Sequence, residues 1–477
     1  MSFASMDRRT FLTSAAADLL ALGVGRGALA EVPAKPDPFF DDLEQRTFRY
    51  FWDTTNPANG LAPDRYPRPP YASIASVGFA LTAYPIGVER RWITRSEARQ
   101  RVLATLRFFH DAPQGPQPHG VSGYMGFFYH YLDTGTGLRV DGTELSTVDT
   151  ALLLGGMLFC HSYFREPHAD EVEIRKLADA IYARVDWRWA QQPADLSPAI
   201  NLGWLPGRGF IRYSWFGYNE AMIVYLLALG SPTHAVEPDA WGAWRRDYNK
   251  TWGLNFGPLP HLGFAPMFGH QYSHVWIDFR GIRDAYMRGR DLDYFENSRR
   301  AAYAQRAYAI ANPMGWKGYS EDVWGITACD GPGDLSHLYG GKMRRFHAYW
   351  ARGAGTRDDG TLASTAVIGS IAFAPEICVP AALRIKQDYG EYLLGPYGFL
   401  DAFNPTFDFA DLKPKFGRSV PGVGWIGTDY VGIDQGPIVA MIENWRSGLI
   451  WKTMRANPHI VRGLKRAGFT GGWLETA

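Results

Sequence analysis

The chain has 477 residues, with 49 lysines and arginines against 48 aspartates and glutamates and a formal net charge of +1. So even a balance supplies no field to hold a phosphate backbone or an anionic bilayer, so nucleic acid and membrane surfaces are not expected partners. No apolar run after the first thirty residues reaches the roughly eighteen of a spanning helix without a polar interruption, and Cys160, Cys329 and Cys378 form neither a disulfide framework nor zinc-finger spacing.

Residues 1–30 read as a twin-arginine export signal: Asp7-Arg8-Arg9-Thr10-Phe11-Leu12 runs into an apolar stretch that ends small-x-small at Ala28-Leu29-Ala30. Cleavage there leaves Glu31 first and predicts a periplasmic protein. It also removes three arginines and two aspartates, which leaves basic and acidic groups equal in number. Residues 31–477 show no low-complexity segment and no second domain, and a repetitive helical architecture can absorb that length in one unit.

Along the chain, helical segments alternate between two characters. Amphipathic, charge-rich stretches at 41–52, 94–110, 170–185 and 290–311 are expected in an outer layer. Between them fall more apolar segments at 71–87, 146–164, 219–230, 364–374 and 436–454, expected in an inner layer. The alternation predicts an all-α (α/α)6 toroid in which helical hairpins close a ring and the loops at one end build a site. Short strands are expected in the connections, for example a hairpin within 124–140 around Asp-Thr-Gly-Thr-Gly. Proline-rich stretches at 31–38, 62–70 and 112–118 read as surface loops.

Three of the apolar segments begin with a carboxylate: TELSTVDTALLL from Thr143, WFGYNEAMIVYLLALG from Trp215, and GTDYVGIDQGPIVAM from Gly427. Helices apolar on most faces are buried, so Glu144, Glu220 and Asp434 are expected at one shared mouth. Cleavage of a glycosidic bond without a metal needs one carboxylic acid to protonate the leaving oxygen and one carboxylate to activate water or attack carbon. Trp215, Phe216 and Tyr218 before Glu220 provide the apolar surround that raises a carboxyl pKa, against the opposite pull of a helix start; Glu220 is the candidate acid, unless it serves only its own helix. Asp141 and Glu144 precede the cap Ser146 and are free to face substrate, unless they form a solvated loop pair. Asp149 completes a Ser-x-x-Asp pattern that reads as structural capping, and Asp434 before Gly436-Pro437 reads as helix-start chemistry or a sugar-hydroxyl ligand.

His270, His274 and Asp278 are spaced four apart in FGHQYSHVWIDFRGIRD, which on one helical face could bind a metal. Interleaved Tyr272, Trp276 and Arg280 favour a hydrogen-bonded sugar site or satisfied core histidines, and no metal or other cofactor is expected. Seventeen tryptophans and 25 tyrosines suit stacking on pyranose rings. Trp316, Tyr319 and Trp324 sit on a glycine-rich loop and are candidate subsites. Neither a phosphate-cradling glycine loop nor a G-x-S-x-G elbow occurs after the leader.

Ordered blocks from about Phe40 to Gly468 carry a resemblance: FRYFWDTTNPANGLAPDR (48–65), ELSTVDTALLLGG (144–156), WFGYNEAMIVYLLALGSPTH (215–234), FGHQYSHVWIDFRGIRD (268–284), WGITACDGP (324–332), YGFLDAFN (397–404) and GIDQGPIVAMIENWRSGLIW (432–451). In these the chain resembles the bacterial glycoamylase-like family, whose relatives include endo-β-1,2-glucanases. The resemblance implies an (α/α)6 barrel, no metal, and hydrolysis of β-linked glucan, above all β-1,2-glucan, with inversion. It implies Glu220 as general acid and Asp141 or Glu144 near the attacking water. Oligo- or polysaccharide is then the expected partner. A transglycosylase or exo-glucosidase on the same fold, or a non-catalytic periplasmic glycan-binding protein, are the competing expectations.

Overall fold

The computed structural model describes residues 37–68, 71–192, 198–253 and 255–477. The expected leader and its cleavage point lie outside the described residues. The helices that position the site are α1 (Pro38–Thr54), α2 (Ile74–Glu89), α3 (Arg95–Asp111), α4 (Thr147–Tyr163), α5 (Ala169–Ala183), α6 (Met222–Gly230), α7 (Tyr272–Trp276), α8 (Tyr294–Ala311), α9 (Ser364–Ile368), α10 (Pro375–Leu393), α11 (Gly432–Arg446), α12 (Leu449–Met454) and α13 (Pro458–Arg466).

The two characters read from the sequence separate cleanly by burial. Every residue of α6, α7 and α9 is buried, as are nearly all of α2, α4 and α11. By contrast α1, α3, α5, α8, α10 and α13 bury one face only. Local chemistry sets their starts. Asp37 accepts a hydrogen bond from the Phe39 amide at 2.8 Å ahead of Pro38 at the first position of α1. Thr94 and Glu97 form a reciprocal capping box on α3, and Asp293 accepts from the Glu296 amide at 2.7 Å to open α8.

Packing ties the inner helices to one another and to their outer partners. α2 packs against α4, α11 and α1; α4 against α5 and α6; α11 against α1, α7 and α9; α6 against α13. Among the described residues between α6 and α7 no long outer helix intervenes, and short helical segments over Asp239–Trp244 and Tyr248–Thr251 take its place.

Two expected elements differ. The block 268–284 is not one helix: a 3-10 turn at Met267–His270 and the five-residue α7 give way to extended backbone at Ile277 (φ −115°, ψ 120°). The spacing of four between His270, His274 and Asp278 therefore does not place them on a single helical face. The segment 436–454 is two helices, split where Gly448 takes the left-handed conformation (φ 67°).

The described strands are short and join distant connections. Arg65–Tyr66 pairs antiparallel with Tyr430–Val431, and Ala72–Ser73 with Tyr131–Leu132. Leu145–Ser146 pairs with Gly203–Leu205, which continues to Gly209–Phe210. The turn expected within 124–140 closes at Asp133, whose amide donates to the Leu138 carbonyl at 2.8 Å.

α2 and α4 approach until their backbones touch. A Cβ on Gly156 would lie 2.1 Å from the Gly78 carbonyl oxygen, and one on Gly78 would lie 2.3 Å from the Leu152 carbonyl oxygen. In an exposed helix interior Gly→Ala gains about 1 kcal/mol. Here the contact is backbone and cannot yield, so Gly156→Ala is expected to lower stability by about 1–3 kcal/mol instead. Urea unfolding beside wild type checks the sign.

Candidate active site

The starts of α2, α4, α6, α7 and α11 converge on one cavity of about 420 Å³, within the range of roughly 300–1,000 Å³ typical of ligand pockets. Ser73 before α2, Val148, Asp149 and Leu152 of α4, Glu220 before α6, Tyr272 of α7, and Val431 and Ile433 at the start of α11 all line it. The remaining wall comes from connections: Asp64, Arg65 and Tyr71, then His130 and Tyr131, then Phe268, Ala328 and Tyr349. Two wider depressions, of about 540 and 720 Å³, lie beside Arg46 and Arg49 and beside Arg455 and Arg462. Neither brings aromatic side chains and several carboxylates together.

Glu220 sits in the turn just ahead of α6, which begins at Met222 rather than at Asn219. The turn is pinned on both sides. Asn219 Oδ1 accepts from the Ala221 amide at 2.9 Å, and Ser273 Oγ of α7 donates to the Glu220 carbonyl at 3.0 Å. The carboxyl itself is left with Oε2 unpartnered. Burial, with a smaller contribution from the charge of Asp149, pushes its pKa up to about 7. A carboxyl that lines a cavity and holds its proton near neutrality can act as a general acid.

A second group of acids stands on the wall formed by α4 and the 128–132 segment. Ser146 Oγ accepts from the Asp149 amide at 3.2 Å and donates to Asp149 Oδ2 at 2.5 Å. The capping reading of Asp149 thus holds in geometry, yet the same side chain also lines the cavity. His130 Nδ1 lies 2.9 Å from Glu144 Oε1, and its Nε2 lies 3.7 Å from Asp149 Oδ2. Burial pulls Glu144 up, but the hydrogen bond and charge of His130 outweigh it and hold the carboxyl below its ordinary value.

At the third corner, Arg65 pairs with Asp330 at 2.9 Å and with Asp429 and Asp64 at 3.4 Å. Behind them Asp401 accepts from the Asp330 amide at 2.6 Å. Burial first, then the Asp330 charge, raises Asp401 to about 7. Burial and the adjoining Asp401 carboxyl raise Asp434 as well.

Not every residue singled out in the sequence reaches the cavity: Glu144 is not part of the lining and joins it through His130. Asp141 is exposed on the turn ending at Gly142 (φ 80°) and pairs with His119 at 3.0 Å. Asp434 is buried behind the wall and Oδ2 has no partner. Of the remaining candidates only Tyr272 lines the cavity. Tyr218 is buried with its hydroxyl 3.2 Å from Ser298 Oγ. His270 is buried without a partner on either ring nitrogen, and desolvation holds it well below its ordinary pKa. His274 contacts Ser298 Oγ at 3.1 Å, and burial pulls its pKa to about 3. Asp278 is chelated by Arg280 at 2.8 Å and by Arg455, and Arg280 lies over the Trp451 ring. Trp276 donates to Thr82 Oγ1 at 2.9 Å. Trp316, Tyr319 and Trp324 are buried, with Trp316 stacked on Tyr339 and Tyr319 bonded to Asp358 at 2.7 Å. These side chains pack the interior. The wall residues that sequence reading passed over are Asp64, Tyr71, His130, Tyr131 and Tyr349; the one available signal was the Pro-Asp-Arg at 63–65, closing a block already noted.

With this geometry in view, the comparisons with known proteins fall into place. The glycoamylase family model, provisionally described as a glucoamylase, matches residues 212–458. The chain belongs to this glycoamylase family. A Bacteroides uniformis crystal structure provisionally called a glucoamylase is 32% identical, with a TM-score of 0.77 over 91% of this chain and 97% of that one. An endo-β-1,2-glucanase of Chitinophaga pinensis, solved with sophorotriose and glucose, is 26% identical, with a TM-score of 0.76 over 92% of this chain and 99% of that one. An exo β-1,2-glucooligosaccharide sophorohydrolase of Parabacteroides distasonis is 29% identical in an alignment of 465 positions that covers 91% of this chain. The chain spans 58% of the length of that relative.

A carboxyl raised on folding costs stability once the unfolded chain ionises and the folded one resists. For Glu220 the loss begins as pH rises past about 4.5 and is complete above about 7. Glu220→Gln, neutral in both states, is therefore expected to melt higher than wild type at pH 8 and alike at pH 4. Calorimetric melting at the two pH values checks this.

Proposed function

We propose that the protein is a glycoside hydrolase that cleaves β-linked glucan, with β-1,2-linked glucose chains as substrate. The observation that carries the reading is Glu220, whose carboxyl is pushed up to about 7 at the lining of a cavity that Asp149 also lines, with Glu144 joined to that lining through His130. The β-1,2 linkage rests on what the Chitinophaga and Parabacteroides relatives are named to act on. The six buried helices α2, α4, α6, α7, α9 and α11 are read as the inner ring of an (α/α)6 barrel, with the cavity at the end where they begin. Export by the twin-arginine route and a periplasmic location belong to the same reading.

In mechanism, Glu220 delivers its proton to the glycosidic oxygen as the bond to the anomeric carbon breaks. A water on the opposite face attacks that carbon and gives up a proton to a carboxylate, which inverts the configuration. Of the two base candidates, Glu144 is hydrogen-bonded into the cavity wall through His130, whereas Asp141 faces outward to His119. Glu144 is the base in this scheme, and Asp149 stands on the wall where water or a sugar hydroxyl would lie.

The scheme makes four demands on purified enzyme and linear β-1,2-glucan. Glu220→Gln should lose about 10³-fold or more in kcat, Glu144→Gln should lose at least 10²-fold, and Asp141→Asn should stay within a few-fold of wild type. Because Glu220 must be protonated, kcat/KM should fall tenfold per pH unit above about 7. Product analysis and pH-rate profiles read all four, with β-1,3-, β-1,4- and α-glucans as controls. Full activity in Glu220→Gln would remove the acid assignment, and cleavage of a control glucan instead would move the linkage.

A further inference from the structure

His130 joins Glu144 to the cavity wall, and its ring stands between the carboxylates of Glu144 and Asp149. It is fixed from three directions. Its amide donates to the Glu144 carbonyl at 3.0 Å, and its own carbonyl accepts from the Ile74 amide at 3.2 Å. Its ring stacks on Tyr131 with centroids 3.9 Å apart and planes 20° from parallel, and Tyr131 is in turn covered by Tyr71 at 4.1 Å. Held this way, Nδ1 meets Glu144 Oε1 at 2.9 Å while Nε2 faces Asp149 Oδ2 at 3.7 Å.

We infer that His130 is a positioning residue of the proposed reaction: as an imidazolium it clamps Glu144 by backbone and side chain together, facing Asp149 with its other nitrogen, and so keeps the base anionic beside the cavity that Glu220 lines. This rests on the hydrolase reading above. A neutral imidazole offers one N–H, whereas the cation donates from both nitrogens, and here both nitrogens face carboxylates.

The surrounding charges agree with the cation. Glu144 and Asp149 face the ring, and Asp64 lies further off on the 61–66 connection. Tyr131 and Tyr71 cover one side without charge at neutral pH. The nearest cations are directed elsewhere: Arg65 to Asp330 at 2.9 Å, and Arg139 to the Thr143 carbonyl at 2.8 Å. Burial alone would pull the imidazole down, but Asp149, Glu144 and Asp64 outweigh it and push it up to about 9. The charge is thus present below that pH and lost above it, and what Glu144 gains from it is lost in the same window. His130 is not among the groups that move Glu220, so the clamp should set the acid limb of the rate profile and leave the limb near 7 alone.

The test is in two parts on the full chain. The first follows the ring carbon of ¹³C-labelled histidine by NMR, with His130→Gln used only to identify the signal. A midpoint near 9 that drops by about one unit or more in Glu144→Gln is expected. A wild-type midpoint at or below the ordinary 6.5, or no change in Glu144→Gln, overturns the inference. The second compares pH profiles of kcat/KM. In His130→Gln the acid limb should move up by about one unit with the limb near 7 unmoved; both limbs moving together, or neither, overturns it. The titration needs no turnover, so a protein that cleaves no glucan would defeat the hydrolase reading while leaving the clamp measurable.

Discussion

The contact on which the rest of the molecule depends is the one between the backbones of α2 and α4. With the Gly78 carbonyl occupying the place of a side chain at 156, the two helices lie closer than side-chain packing would allow. Their starts are brought together with the same closeness, so Ser73 and Asp149 share one wall. The approach repeats between α2 and α11, where a Cβ on Gly436 would fall 2.1 Å from the Phe79 ring. Small residues at these crossings decide how wide the cavity can be. The energetic consequence is that the inner helices lose all tolerance for extra volume along exactly the stripe that aims them.

The cavity sorts its acids by environment rather than by residue type. Glu220 has a free oxygen and little countercharge, so desolvation decides and it keeps its proton to about pH 7. Glu144 is equally a glutamate, but the histidine beside it reverses the balance. Asp401 and Asp434 show the third outcome, in which two buried carboxyls side by side cannot both ionise. Opposed pKa shifts within one pocket are what separates an acid from a base when both are carboxyls.

The layered helices were legible in the sequence because burial on all faces leaves a plain mark: α6 reads MIVYLLALG without a polar residue. Glu220 was legible for the related reason that an acid beside such a run has nowhere to go but the cavity end. His130, Asp64 and Tyr349 were not, since they sit on connections whose neighbours are set by pairings across long stretches of chain, such as Ala72–Ser73 with Tyr131–Leu132. Aromatic content misled in the opposite direction. Trp316, Trp324 and Trp276 have the surface chemistry of a sugar platform, but a core of this thickness consumes large rings, and composition cannot tell a stacked ligand from a stacked neighbour. Asp149 belongs to both accounts, since a capping acid at the start of a helix that begins at a cavity serves the helix through Ser146 and also lines the cavity.

The pairing of Arg65 with Val431, sealed by the Gly432 amide donating to the Asp64 carbonyl at 2.8 Å, joins segments more than 360 residues apart. Asp64 is therefore positioned only after the partner that fixes it, more than 360 residues later, has been made. No amount of local helix formation can assemble this wall before α11 has been synthesised, and closing so long a loop carries the entropic delay of a high-contact-order fold. A nascent or truncated chain lacking α11 would carry its glutamates and apolar helices with no finished cleft, so the pocket closes only once α11 has joined the fold.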